Sequence, residues 1–216
     1  MAVLLLKFDA PMQSWGIDEK LKDHKTDFIP SKSAVIGMIA SAEGRRRDED
    51  VSDLAALRFG VRIDKDGELL SDFQTSLMGG RQGKEKDYYN NGHMTSTVND
   101  KYMKVGTRYY LCDAIFTCGI EGSYKELETI RDALLNPANA LFLGRRSCPV
   151  TAELVQGIVE GSLEDALKSL SGQKRGFVDT DAEFSGTRYR VVRDMPISFT
   201  PKKRVYALRK YAEIRL

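Results

Sequence analysis

The sequence is poor in the groups on which most enzymes are built. It has two histidines, His24 and His93, and each stands alone. No His-x-x-x-His, Cys-x-x-Cys or Gly-x-Ser-x-Gly pattern occurs, so the usual signatures of zinc sites and serine nucleophiles are missing. Cys112, Cys118 and Cys148 are odd in number and lack metal-ligand spacing; they read as free thiols of a reducing compartment. Acidic residues are plentiful but scattered, with no pair assignable to a cleft. No apolar run approaches the ~20 residues needed to span a bilayer. Val3 to Leu6 is too short for a signal-peptide core and leads into Lys7, Phe8 and Asp9. These absences predict a cytoplasmic protein with no membrane contact, no cofactor and no metal. The net charge is +2, so there is no global basic field, and any nucleic-acid binding has to come from local patches.

Such patches exist. They are Arg45-Arg46-Arg47, Arg145-Arg146, and Lys202-Lys203-Arg204 continuing to Arg209 and Lys210. A solvated face is the alternative for each of them. The 216 residues, 42% hydrophobic and 30% charged, suit one domain over residues 1–216.

Periodicity orders the chain. Val3 to Phe8 reads as a buried opening strand, ended by Pro11. Met12 to Gly16 puts the single tryptophan, Trp15, on a loop past a strand end, as a packing residue with Gln13 and Ser14 nearer any ligand. Ser31 or Ser33 caps a helix whose body, Ala34 to Ala40, is apolar nearly all round; Gly37 in it suggests close approach to a strand. The helix N-terminus, with Lys32 and Ser33, suits a phosphate. Gly44 ends it. Val51 to Ala56 predicts a short helix. Phe59 to Ile63 reads as a strand, Asp66-Gly67 as a hairpin turn, and Leu69 to Leu77 as the returning strand.

Residues 79–107 are too long and too polar for a simple hairpin loop. Arg81, Lys84, Lys101 and Lys104, with Arg108 just beyond, interleave with Tyr88, Tyr89 and Tyr102. Rings for bases and cations for phosphates suit single-stranded nucleic acid, an ordinary surface insertion being the alternative. Arg108 to Ile120 is the clearest strand, with Cys112 and Cys118 on one face. Ser123 to Leu135 is an amphipathic helix with Tyr124, Leu127, Ile130 and Leu134 on one stripe. After Glu153 to Glu160 comes a short helix, Leu163 to Leu170. Val178 to Phe184 reads as weakly structured, and Thr187 to Val192, Ile197 to Thr200 and Val205 to Leu208 as strands. The fold class is α+β: a ferredoxin-like or RRM-like βαββαβ core, a protruding insertion over about 79–107 and a C-terminal β extension over about 177–216.

One stretch stands out, Phe142-Leu143-Gly144-Arg145-Arg146-Ser147-Cys148-Pro149. Gly144 allows a turn or a close approach. Arg145 and Arg146 bring two guanidinium forks, and Ser147 a hydroxyl and an N–H. Pro149 holds Cys148 extended. This is a rigid basic loop able to grip a phosphate backbone. It is not a P-loop, since no Lys-Ser/Thr follows, and an ordinary surface turn is the other reading.

The stretch resembles the glycine-rich loop of the CRISPR-associated RAMP proteins, more narrowly the CasD family of Cascade subunits in type I-E systems. Pro11-Met12-Gln13-Ser14-Trp15-Gly16, Pro30-Ser31-Lys32-Ser33, Tyr110-Leu111-Cys112-Asp113-Ala114 and Arg193-Asp194-Met195-Pro196 resemble that family in the same order. The resemblance implies a non-catalytic subunit that caps the 5′ handle of a CRISPR RNA (crRNA) in antiviral defence. Its partners would be the crRNA, the backbone and large Cascade subunits and, indirectly, target DNA; the 79–107 insertion would be a thumb against the RNA. Expected RNA contacts are Gln13, Ser14, Lys32, Ser33, Arg45, Arg46, Arg81, Lys84, Tyr88, Tyr89, Lys101, Lys104, Arg108, Gly144, Arg145, Arg146 and Ser147. The alternative is a metal-independent endoribonuclease that processes precursor crRNA, as in a related branch that uses tyrosine, lysine and histidine. His24 with Lys25, or His93, would then supply the acid and base, though neither lies in a matching motif. A protein-interaction module with basic surface loops is a third reading.

Overall fold

The computed structural model describes residues 1–16, 23–78, 88–90, 93–95, 102–172, 174–180, 189–200 and 203–215. In chain order the elements are β1 (Ala2–Asp9), β2 (Met12–Gln13), β3 (Trp15–Gly16), β4 (Asp23–His24), β5 (Thr26–Asp27), α1 (Lys32–Ala42), α2 (Ser52–Ala56), β6 (Arg58–Lys65) and β7 (Glu68–Met78). There follow β8 (Tyr88–Asn90), β9 (His93–Thr95), β10 (Tyr102–Cys112), β11 (Ile115–Gly122), α3 (Tyr124–Leu135), β12 (Val155–Glu160), α4 (Leu163–Lys168), β13 (Arg175–Asp179), β14 (Tyr189–Ser198) and β15 (Val205–Arg215).

Seven strands form one antiparallel sheet in the order β12-β1-β11-β6-β13-β15-β14. β1 is apolar almost throughout because both its faces are covered. Leu4, Leu6 and Phe8 enter the main core, while Val3 and Leu5 point the other way, beneath α4. α3 lies over β12, β1 and β11 on the main-core side, with α1 beside it reaching β14. α4 sits tight on the opposite face: a Cβ on Gly119 would lie 2.6 Å from Leu163. Ser123 and Glu126 close a capping box at the start of α3, which stabilises it by about 1 kcal/mol. Tyr124, expected on the buried stripe, is exposed.

A second sheet holds β2, β10, β4 and β7. The predicted hairpin between β6 and its successor does not form. β7 pairs with β10 along eleven residues, from Cys112↔Glu68 to Tyr102↔Met78, while β6 has β11 and β13 on its two sides. The strand expected over Arg108 to Ile120 is two. Its alternation runs through, but the backbone turns at Asp113 (φ 55°), passing from the second sheet into the first. Cys112 and Cys118 therefore lie in different sheets.

Three other readings change. Val178, placed in a weak segment, belongs to β13, which is paired on both sides by β6 and β15. The two strands read around Thr187 to Thr200 are one strand, β14, carrying register shifts. Gly37 faces a ring rather than a strand, and the approach is not close: a Cβ there would meet Phe199 at 3.6 Å, an ordinary contact.

Candidate nucleic-acid interface

The Gly144 loop is a small hairpin closed by a bridge between Phe142 and Pro149. Leu143 N–H donates to Cys148 O at 2.7 Å and Cys148 N–H to Arg145 O at 2.8 Å. Leu143 and Cys148 are buried and anchor the loop; burial pushes the Cys148 thiol pKa up, against the lowering effect of Ser147 and Arg145. Gly144 stands at φ +85°, and no side chain fits there: a Cβ would lie 1.6 Å from Ser14 O. The close approach read from the sequence is real, but it is made to the chain's own backbone.

The two arginines part company. Arg145 turns inward, donating to Tyr109 O at 3.1 Å and His24 O at 2.8 Å, with its guanidinium 5.1 Å from the centre of the Tyr110 ring. It clasps the loop to β10 and β4. Arg146 is exposed and has no hydrogen bond or ion pair with the described residues. The N–H groups of Arg146 and Ser147 likewise find no acceptor among them, and Ser147 Oγ reaches the Tyr110 hydroxyl at 3.4 Å. Arg108 and Lys25, both exposed, are chain neighbours of the clasped Tyr109 and His24. Two free N–H groups and a guanidinium fork thus share one rim, a donor set matched to phosphate oxygens.

Gln13 and Ser14 support this rim from below and are not at its surface. Both are buried. Gln13 Nε2 donates to Phe8 O and Ala114 O, its Oε1 accepts from Trp15 Nε1, and Ser14 N–H donates to Leu143 O. Trp15 is a packing residue, as expected.

The start of α1 is also engaged internally. Lys32 N–H donates to Asp194 Oδ2 at 2.9 Å, so a carboxylate of this chain already occupies the helix N-terminus read as a phosphate site. The Lys32 side chain is buried, its Nζ 3.0 Å from Asp179. Arg209 completes the network with Asp179 at 2.5 Å and Asp194 at 2.7 Å. Burial opposes the Arg209 charge, but its two carboxylate partners outweigh that and raise its pKa. Two cations and two anions are thereby balanced away from water.

A family model described as CRISPR-associated protein (Cas_Cas5) matches residues 3–211. The chain belongs to this Cas5 family. The CRISPR system Cascade subunit CasD of Escherichia coli (strain K12) is 30% identical over 98% of this chain and 95% of its own length. A chain of a solved CRISPR RNA-guided surveillance complex superposes with a TM-score of 0.79 at 29% identity, covering 99% of this chain and 89% of that one. A crystal structure of a Cas protein gives 0.72 at 32%, with 99% and 94% covered.

The motifs that resemble the family meet in space in this Cas5 chain. The Met12–Gly16 stretch pairs with Leu111-Cys112 through Gln13↔Leu111, Met12↔Cys112 and Asp113 N–H to Pro11 O, and holds the Gly144 loop through Ser14 N–H to Leu143 O. The Lys32 and Asp194 motifs meet at the start of α1. Of the other expected contacts, Ser33 is half-buried with Ser31 Oγ at 3.4 Å. Arg45 is spent on Asp53 and Glu43, which raise its pKa well above the ordinary value; Asp53 is the larger cause. Arg46 is exposed, 3.4 Å from Asp48. Arg81, Lys84 and Lys101 lie outside the described residues. Tyr88, Tyr89 and Lys104 fall on β8 and β10, with side chains likewise outside them. Tyr110 and the carbonyls of His24 and Tyr109 were not singled out as site groups, because a buried ring and backbone oxygens leave no mark in a sequence.

No helix among the described residues is long and apolar enough to cross a membrane.

Proposed function

We propose that this chain is the crRNA-holding subunit of a Cascade-type surveillance complex, working in the cytoplasm in antiviral defence. It would cap the RNA 5′ handle on the Gly144 loop. The observation that carries this reading is the open rim of Arg146 and Ser147 in a chain similar over nearly its whole length to a Cascade subunit. Arg146 offers a two-pronged donor to one phosphate, and the N–H groups of Arg146 and Ser147 take the oxygens beside it. Arg108 and Lys25 extend the track. Arg145 positions the loop and does not itself reach the RNA.

The role is one of holding, not cutting. The groups that carry this reading are N–H donors, cations and the Ser147 hydroxyl, a set suited to holding phosphates. The partners are the crRNA, the neighbouring protein subunits and, through them, target DNA.

The architecture fits one domain, residues 1–216, built on a ferredoxin-like core. Support comes from the order β12-β1-β11-β6, which in chain order is fourth, first, third, second, with α1 and α3 as the two crossovers. The β7–β10 ribbon would be the stalk of the thumb expected over about 79–107, and β13 to β15 the C-terminal extension.

The test is co-expression of the tagged chain with crRNA and the other Cascade proteins, then sequencing of the RNA retained. Handle-bearing crRNA in the eluate is expected. Unselective RNA, or none, would overturn the proposal. Specific cleavage of precursor RNA by the purified chain in EDTA would replace it with the nuclease reading.

A further inference from the structure

α4 covers β1, β11, β6 and β13 on its side of the large sheet. Val178 of β13 packs under Leu163 and Leu167, and its cross-strand partner Ala212 is still buried. Beyond Ala212, on the same face of β15, come Lys210 and Leu208. The register sets Tyr189 and Val191 of β14 opposite Ala212 and Lys210. Three large apolar side chains lie open here: Tyr189 is 47% exposed, Val191 51% and Leu208 61%. Among the described residues of β14 and β15, the charges with them are positive. Lys210 stands 5.3 Å from the Tyr189 ring centre, and Arg193 is exposed on β14. The acids of these strands belong to the other face. Asp194 is bound to Arg209 and to Lys32 N–H, and alternation places Glu213 with Arg209 and Tyr211.

We propose that this open face of β14 and β15 is a docking surface for a protein whose contact region has an apolar centre and a rim of carboxylates. The inference rests on reading the chain as a subunit of a larger complex. Exposed apolar side chains grouped on a flat face favour burial against a partner in proportion to area. Lys210 and Arg193, which have no ion pair among the described residues, select an acidic rim and speed the encounter. The β14 edge is not the docking feature. Register shifts break its ladder and Pro196 lacks an N–H, so an added strand finds no continuous row of donors. Nucleic acid fits less well, since Val191 and Leu208 have no ring to stack on a base and Lys210 already lies over one face of the Tyr189 ring.

The experiment uses the full chain with purified Cascade proteins and crRNA. It compares wild type with the double variant Val191→Glu/Leu208→Glu. Retention of one protein partner should fall at least about tenfold, as for loss of an interface anchor. RNA binding by the chain alone and its melting temperature should not change. The milder pair Val191→Ser/Leu208→Ser should lose less, which guards against a folding defect in the glutamate pair. A photo-crosslinking residue substituted for Leu208 should link to a partner protein at an apolar segment flanked by Asp or Glu. Unchanged partner retention, or crosslinks to RNA or to a second copy of this chain, overturns the docking proposal while leaving the RNA-holding role intact. A wild-type chain that retains neither RNA nor partners overturns both.

Discussion

Gly144→Ala should be among the costliest single-atom changes in this protein. The site asks for two things at once. The backbone is left-handed at φ +85°, which costs an L-residue about 1–2 kcal/mol. The new Cβ would stand 1.6 Å from Ser14 O, where real Cβ contacts stay beyond 3.0 Å. The obstacle is backbone, so no rotamer relieves it, and the loop has to move by more than an ångström. That movement breaks the Ser14 N–H to Leu143 O bond, worth about 1 kcal/mol. It also begins to lift Leu143 and Cys148 from the core. Together this predicts a loss of about 2–4 kcal/mol, or a melting temperature lower by roughly 5–12 °C for a chain of this size. Gly44→Ala is the control. Its φ is +78°, but its Cβ would meet only the Ala138 Cβ, at 3.1 Å. It should cost about 1–2 kcal/mol, mostly the conformational part. Gly144→Asn separates the two causes, since asparagine tolerates the left-handed region but still carries the Cβ. It should recover at most the conformational part and stay well below wild type. The assay is thermal melting of the three variants beside wild type, with crRNA retention of the folded fraction. If Gly144→Ala melts like Gly44→Ala, or if asparagine restores wild-type stability, the close approach to Ser14 does not govern the loop.

Arg146→Ala should leave the melting temperature unchanged while weakening RNA binding and lowering its salt dependence by about one phosphate contact, read from binding titrations across salt. Arg145→Ala should destabilise by about 1–3 kcal/mol in a denaturant titration, because it strips the donors from the Tyr109 and His24 carbonyls. Lys32→Met leaves Asp179 facing Arg209 with one cation fewer in a buried network; a loss of about 3–5 kcal/mol in urea unfolding is expected, and a neutral result would refute the pairing. Burial raises the Asp27 pKa above the ordinary aspartate value of 3.8. The folded state therefore holds that proton more tightly, and the stability it confers is present below the unfolded pKa and lost as pH rises through the folded one. Asp27→Asn should raise the melting temperature at pH 7, with the gain disappearing below about pH 3.8, as melting curves across pH will show.

The strands β1, β6 and β11, the helices α1 and α3, and the exposed loop with its arginines were all legible from periodicity, caps and glycine placement. These are local signals: an apolar run such as Val3 to Leu6 must be buried whatever surrounds it, and Ser123 caps a helix by its own hydroxyl. The long-range decisions were not legible. Alternation from Tyr110 to Cys118 continues across Asp113, so a change of sheet leaves no trace in it. Arg145 and Arg146 are identical in sequence, and only the carbonyls of Tyr109 and His24, brought beside the loop by β10 and β4, turn one inward and leave the other free. Lys32 beside a helix N-terminus reads as a phosphate ligand until Asp179 and Asp194, more than a hundred residues away, arrive as its partners. Sequence by itself determined which residues are apolar, charged or conformationally free. Tertiary structure decided which charges are spent within the chain and which remain for a ligand, because the energy of a charge depends on what stands within a few ångströms of it.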